Sequence, residues 1–485
     1  MLMRIKIVLG VMLAVGGWGC SQFPSSPGQT TDSGCKAWKI RKNVKQFDYF
    51  QYVDDMGRIV ALGYDENGDG QPDVRVDLRV TQSDPQYPHY VILLDGIPYD
   101  IVARMYEQGH FRLFYPPSKV VSPFPGMTDI CYSEMFVPGQ LPGFEAKYYN
   151  RGSHRLSDAN HAYLTGRNEC WTKKIQYRIP RILDAVGYVS PDFIFNHELS
   201  AIEKMMNRYT CGTAMGYMVG TATVGTRQGS AGFEKCLIAV ERLCEKIMYE
   251  RHGRCRFTLV ADHGHNLVEG QFFDMEKSLK SQGFRITQKL TRHGDVVVIG
   301  YGLVTNSALY TDEPDEVAKA LVGYYDPIDM AVYPLRVDNQ RKIVIRTREA
   351  LAYVSCAGNG YRYEAQRGDP LELMPIIEEL KAAGKVDAEG VIDDRAFFDA
   401  TVDHRYPDAL ARVWRTFHGM TQYPPDLVVT LRDGWFAGDA GFARSIKVKS
   451  THGSLNRINT LTFMMTTIGP LPPAMRINEV LENLQ

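Results

Sequence analysis

From residue 86 onward, short continuous apolar runs at 90–94, 257–261, 295–300 and 427–431 alternate with stretches whose apolar residues recur at helical spacing, at 198–206, 233–249, 314–322 and 373–383. Runs of Val, Ile and Leu this short predict strands buried on both faces, and the intervening stretches predict the helices that cover them. The alternation predicts an α/β fold, a three-layer α/β/α doubly wound and mostly parallel sheet. Ahead of it, 58–64 and 74–80 predict an N-terminal β-hairpin, the second run alternating Val74, Val76, Leu78 and Val80 with Arg75, Asp77 and Arg79. Residues 327–368 carry strand-like runs between turn signals and predict an antiparallel excursion that caps the site. The expected organisation is therefore a signal peptide at 1–19, a flexible tether at 20–45, the hairpin at 46–85, an α/β core at 86–310 and 420–485, and a cap insertion at 311–419.

Composition narrows the function classes. The 485 residues are 44% hydrophobic and 23% charged, enough to bury a large core. With 55 basic and 56 acidic residues the net charge is -1, which excludes an electrostatic nucleic-acid binder and leaves nucleotides only as small-molecule substrates. Arg4 and Lys6 precede an apolar stretch at 7–15 that is too short to span a bilayer, followed by small residues and Cys20. Together with the Ser/Pro/Gly-rich 22–34, this resembles a bacterial lipoprotein, exported and anchored to a membrane through acylated Cys20. Gly17-Trp18-Gly19 departs from the usual cleavage box, so simple secretion stays the alternative. Export allows some of the remaining eight cysteines to pair, although Cys236 and Cys244 share an apolar helical stripe and predict buried thiols.

Between the two hairpin strands, Asp65, Asn67, Asp69 and Asp73 place oxygen side chains at near-alternate positions, with Gly70 permitting a sharp turn. Hard oxygen ligands in that pattern match the first half of a calcium loop and predict a structural calcium. Val76 stands where a bidentate Glu belongs, and a plain hairpin turn is the competing reading.

The candidate chemistry lies where apolar runs stop. The run ending in Leu94 meets Asp95-Gly96, the run ending in Ala261 meets Asp262-His263-Gly264-His265, and Thr451-His452-Gly453 lies near the C-terminus. In open α/β sheets ligands collect at the carboxyl ends of strands, so these segments predict a metal site assembled from three distant parts of the chain. Asp95-Gly96 after a strand, Pro125-Gly126-Met127-Thr128, Asp262-His263-Gly264 and Thr451-His452-Gly453 resemble, in that order, the alkaline phosphatase superfamily, and most closely its type I phosphodiesterase/nucleotide pyrophosphatase branch. The resemblance spans roughly residues 86–485. It implies a metal-dependent phosphodiesterase or related phosphoryl hydrolase acting on a phosphate ester or phosphodiester, with Thr128 as nucleophile. Asp95, Thr128, Asp262 and His263 would be ligands of one divalent metal, zinc foremost and manganese second, and His452 would belong to a second metal. His265, two residues past a ligand, is expected beside the substrate or behind the metal.

The chain departs from that pattern at one place. Where the family carries Asp-x-x-His-x-x-Gly, this sequence has Thr223, Thr226 and Gly229. A neutral hydroxyl is a poor substitute for a carboxylate or imidazole on zinc. One metal is therefore expected, as in a one-metal phosphotransferase; Asp192 and His197 are the alternative sources of ligands, and a pseudoenzyme that binds ligand without catalysis is the third outcome.

Overall fold

The computed structural model describes residues 28–30, 35–41, 45–136, 139–157, 170–337 and 339–484. The expected signal peptide, and Cys20 with it, lie outside the described residues.

A six-stranded sheet carries the site. Its order is Thr213–Met218, His89–Leu94, Arg256–Ala261, Leu461–Thr466, Ser118–Val121 and Ala474–Arg476. The first three strands run parallel, Leu461–Thr466 is antiparallel to both of its neighbours, and Ala474–Arg476 is parallel to Ser118–Val121. Because side chains alternate across a strand, Ile92 and Leu94 face one layer while Val91 and Leu93 face the other. Ile92, Leu94, Leu259 and Phe463 pack with Ile101, Ile202, Phe233 and Val240 from three helices. On the opposite face, Val91, Leu93, Val260 and Met464 pack with Cys131, Tyr132, Met135 and Trp171. All six residues of His89–Leu94 are buried, the condition that makes a central strand read as one unbroken apolar run. The result is a three-layer α/β/α body with a mixed, mostly parallel sheet.

A second sheet of nine strands stands beside it, in the order Arg285–Ile286, Asp295–Ile299, Asn306–Thr311, Leu427–Leu431, Ile328–Val337, Gln340–Arg346, Leu351–Ala357, Gly360–Arg367 and Ile392–Asp393. Every neighbouring pair is antiparallel except the first. The runs at 295–300 and 427–431, expected as central strands of the parallel sheet, belong here instead. They read as parallel-sheet strands because they too are covered on both faces, by helix Pro314–Tyr324 on one side and Ala409–Phe417 on the other. Burial is written in the sequence, whereas the direction of the hydrogen-bonded neighbour is not. The strands of the expected cap, 328–367, thus extend a sheet that also contains 295–299, 306–311 and 427–431.

The N-terminal hairpin is part of a five-stranded antiparallel sheet, Gln29–Thr30, Lys36–Trp38, Tyr49–Val53, Ile59–Tyr64 and Val74–Asp77. Its first two strands fall within the segment expected as tether. The strand expected to reach Val80 stops at Asp77, whose carboxylate accepts the Arg79 N–H and caps a short helix, Leu78–Ser83. Tyr49 meets Tyr249 edge-on, with ring centroids 4.9 Å apart, and fastens this sheet to helix Ser230–Glu250. Cys236 and Cys244 are buried free thiols on that helix, as their stripe predicts. No described helix is long and apolar enough to cross a membrane.

Candidate metal and phosphoryl site

Strand register assembles the site. Leu94 pairs with Met218 on one side and Ala261 on the other, so Asp95 and Asp262 emerge side by side where the two strands end. Ser118–Val121 is two antiparallel steps away from Arg256–Ala261 and runs in the same direction, so the chain that follows it leaves from the same edge. That segment delivers Thr128 as the first residue of helix Thr128–Phe136.

Each side chain is oriented by named partners. Asp262 Oδ1 accepts the N–H groups of Gly96 at 2.9 Å and His263 at 3.0 Å, which leaves Oδ2 buried without a partner. Asp95 Oδ2 accepts the Tyr217 hydroxyl, and Thr128 Oγ1 lies 3.5 Å from Asp95 Oδ1. The Thr221 hydroxyl donates to the Asp95 carbonyl oxygen at 2.7 Å. His263 Nδ1–H donates to the Gly264 carbonyl at 3.0 Å, so the lone pair sits on Nε2. That atom lies 3.6 Å from Asp95 Oδ1 and 3.5 Å from Asp262 Oδ2, buried and with no hydrogen-bond partner. Gly264 makes the approach possible, because a Cβ there would stand 2.0 Å from the Ile458 carbonyl oxygen.

The electrostatics call for a positive charge. Burial raises the Asp95 carboxyl well above its ordinary range, and the nearby Asp262 charge raises it further. Burial raises Asp262 as well, against the hydrogen bonds from Gly96 and His263. Burial pushes His263 down to about 4, so its imidazole is neutral at physiological pH and supplies no compensating charge. Two carboxylates without a cation cannot both stay ionised in such a place. Asp95, Asp262 and His263 offer ligand atoms within 4.8 Å of one another, and the unpartnered Asp262 Oδ2 and His263 Nε2 fit a divalent cation. His263, His265 and His452 form a second grouping within the same limit. His452 thus stands with the imidazoles, its Nδ1–H donating to the Gly126 carbonyl at 2.8 Å.

The other candidates fall elsewhere. Thr223 and Thr226 are buried on helix Gly220–Gln228; the Thr223 hydroxyl donates to the Gly220 carbonyl at 3.1 Å, and its methyl packs towards Gly187. Asp192 pairs with Lys235 at 2.7 Å and with Gln228 at 3.0 Å, and His197 is exposed, so this alternative source of ligands is not at the site. In the loop at 65–73, the carboxylate of Asp65 accepts the N–H groups of Gly68 and Gly70, and Asp73 accepts those of Glu66 and Asn67. Asn67 and Asp69 likewise accept the N–H groups of Asp69 and Gln71. These are the hydrogen bonds of a hairpin turn, the competing reading for this loop. Tyr217 and Thr221, both bonded to Asp95, escaped the sequence reading: Tyr217 looks like one more apolar strand residue until register sets it beside Leu93.

No family model and no curated protein matches the chain. Among solved structures, it is similar to murine ectonucleotide pyrophosphatase/phosphodiesterase 5 at 10% identity and a TM-score of 0.43, over 81% of this chain and 93% of that one. An inactive form of the murine protein in complex with AMP aligns at 9% identity and a TM-score of 0.44, over 83% and 95%. The human ectonucleotide pyrophosphatase/phosphodiesterase 5 aligns at 9% identity and a TM-score of 0.44, over 81% and 93%.

Proposed function

We propose that the protein is a metal-dependent phosphoric ester hydrolase of the phosphodiesterase kind, with Thr128 as nucleophile and a divalent cation at Asp95, Asp262 and His263. One observation carries this reading: the unpartnered Asp262 Oδ2 and His263 Nε2 lie 3.5 Å apart beside the buried Asp95 carboxylate, with a threonine hydroxyl 3.5 Å from Asp95 Oδ1. A divalent cation held there would supply Lewis-acid stabilisation of the negative charge that develops during the attack. The chain's residues do the rest. Asp95 Oδ1, 3.5 Å from the Thr128 hydroxyl, orients it and accepts its proton. Thr128 Oγ attacks phosphorus as the bond to the leaving alcohol breaks, and water then releases phosphate or phosphomonoester from the threonine. The position of Thr128 at a helix start favours the anion that it attacks. Tyr217 and Gly96 hold the two carboxylates in place through the bonds described above.

Thr223 and Thr226 favour a second reading, a protein that holds the cation and a phosphorylated ligand without turnover, since neither offers a charged ligand for a second ion. Elemental analysis of the purified protein, followed by assays on bis(p-nitrophenyl) phosphate, p-nitrophenyl phosphate and a sulfate ester, separates the two. Metal-dependent turnover that Thr128→Ala abolishes supports the hydrolase; bound metal with no turnover of any ester supports the binding protein. Export and acylation at Cys20, which would tether the enzyme to a membrane, belong to the same proposal.

A further inference from the structure

We propose that His263, His265 and His452 form a three-imidazole seat for a borderline transition-metal ion such as zinc, mutually exclusive with an ion held by the carboxylates Asp95 and Asp262. The proposal goes beyond the phosphodiesterase reading, because the seat exists whether or not Thr128 turns over an ester.

All three rings are held from behind at Nδ1. His263 and His452 donate Nδ1–H to the carbonyls of Gly264 and Gly126. His265 Nδ1 lies 3.1 Å from the Ser450 hydroxyl, which already accepts the Leu267 N–H and has a second lone pair for the His265 N–H. Such bonds at the far nitrogen are what orient a metal-binding imidazole and leave Nε2 as the ligand atom. The Nε2 atoms of His263 and His265 are fully buried and have no hydrogen-bond partner, an arrangement that costs free energy unless something accepts their lone pairs. The rings gather closely: His263 and His452 stack at 3.9 Å between centroids and 15°, and His265 lies 5.0 Å from His452, so one ring of the stacked pair tilts out of parallel to share an ion. Gly96 leaves room for this, since a Cβ there would sit 2.6 Å from His265 Nε2. His452 is the half-buried member and gives the group its opening to solvent.

Exclusivity follows from His263. His263 belongs to both groupings, and with its Nδ1–H committed to Gly264 it has only Nε2 to offer, so one ring cannot serve two ions. Imidazole nitrogens suit zinc, whereas carboxylate oxygens suit manganese. Zinc should therefore prefer the three histidines and manganese the carboxylate side.

Equilibrium dialysis of the full protein against zinc chloride and manganese chloride tests this, with visible spectra of the cobalt form as a second readout. Wild type is expected to hold one ion in total, with zinc displacing manganese. His265→Gln should weaken zinc at least about tenfold and leave manganese within about twofold, while Asp262→Asn should do the converse. His452→Ala, at the half-buried position, repeats the test should the His265 variant fail to fold. Unchanged zinc affinity in either histidine variant overturns the proposal, as does simultaneous binding of zinc and manganese to two ions per chain. Unchanged manganese affinity in Asp262→Asn refutes instead the carboxylate seat on which the hydrolase reading rests, and leaves a His265-dependent zinc seat standing.

Discussion

Supplying the cation should stabilise the protein, and the size of the effect can be worked out. Without it, Asp95 and Asp262 share one buried corner, and burial raises both carboxyl groups above their ordinary range. A ligand present at about a thousand times its dissociation constant adds about 4 kcal/mol of stability. Unfolding entropy near 2.1 cal/mol/K per residue, summed over 485 residues, is about 1 kcal/mol/K, so the melting temperature should rise by about 4 °C. The pH dependence has a definite sign. Between the unfolded and the raised folded value of a carboxyl group the folded state binds more protons, so metal-free stability falls as pH rises through that window. The cation displaces those protons, so the shift on adding metal should grow with pH and shrink towards acid. Differential scanning fluorimetry of chelator-treated protein, with and without manganese, reads both effects. An equal shift in Asp262→Asn, or a shift independent of pH, would refute the reasoning.

Four further outcomes are expected. Thr128→Ala should lower turnover by at least about a thousandfold while retaining the metal-dependent melting shift, because in the proposed reaction the hydroxyl attacks phosphorus and carries no charge; parallel kinetics and fluorimetry check it. Gly264→Ala should cost about 1–3 kcal/mol in a urea titration, because its Cβ would meet the backbone oxygens of Ile458 and Leu461 at 2.0 and 2.9 Å, and it should weaken metal binding by displacing His263. Glu198 is fully buried and accepts the N–H groups of Val219 and Gly220 at the start of helix Gly220–Gln228, so Glu198→Ala should cost about 2–4 kcal/mol by the same assay. Cys20→Ala should move the protein from the membrane fraction to the soluble fraction on immunoblots of fractionated cells; unchanged partition would remove the anchor.

Much of the site could be read before folding, for a specific reason. A fully buried strand must be apolar along its whole length, so a charged residue at the end of such a run marks the point where the strand leaves the core. Asp95 and Asp262 both stand at such points, directly after Leu94 and Ala261. Thr128 and His452 were legible only by their order along the chain, since an isolated threonine before a helix is ordinarily a cap. The hairpin strand that ends at Asp77 misled because alternating valines fit a pleat, whereas the Asp77 side chain prefers to cap a turn of helix.

The chain by itself determines which runs are buried, which residues end them and which are charged, because burial selects side-chain type locally. It does not determine which strand lies next to which, since hydrogen bonds between strands involve backbone groups that every residue shares. The tertiary structure alone decided that 295–299 and 427–431 pair antiparallel in a second sheet and that Tyr217 reaches Asp95. It likewise brought His452 beside His263 and His265, because register and helix packing set distances between residues hundreds of positions apart.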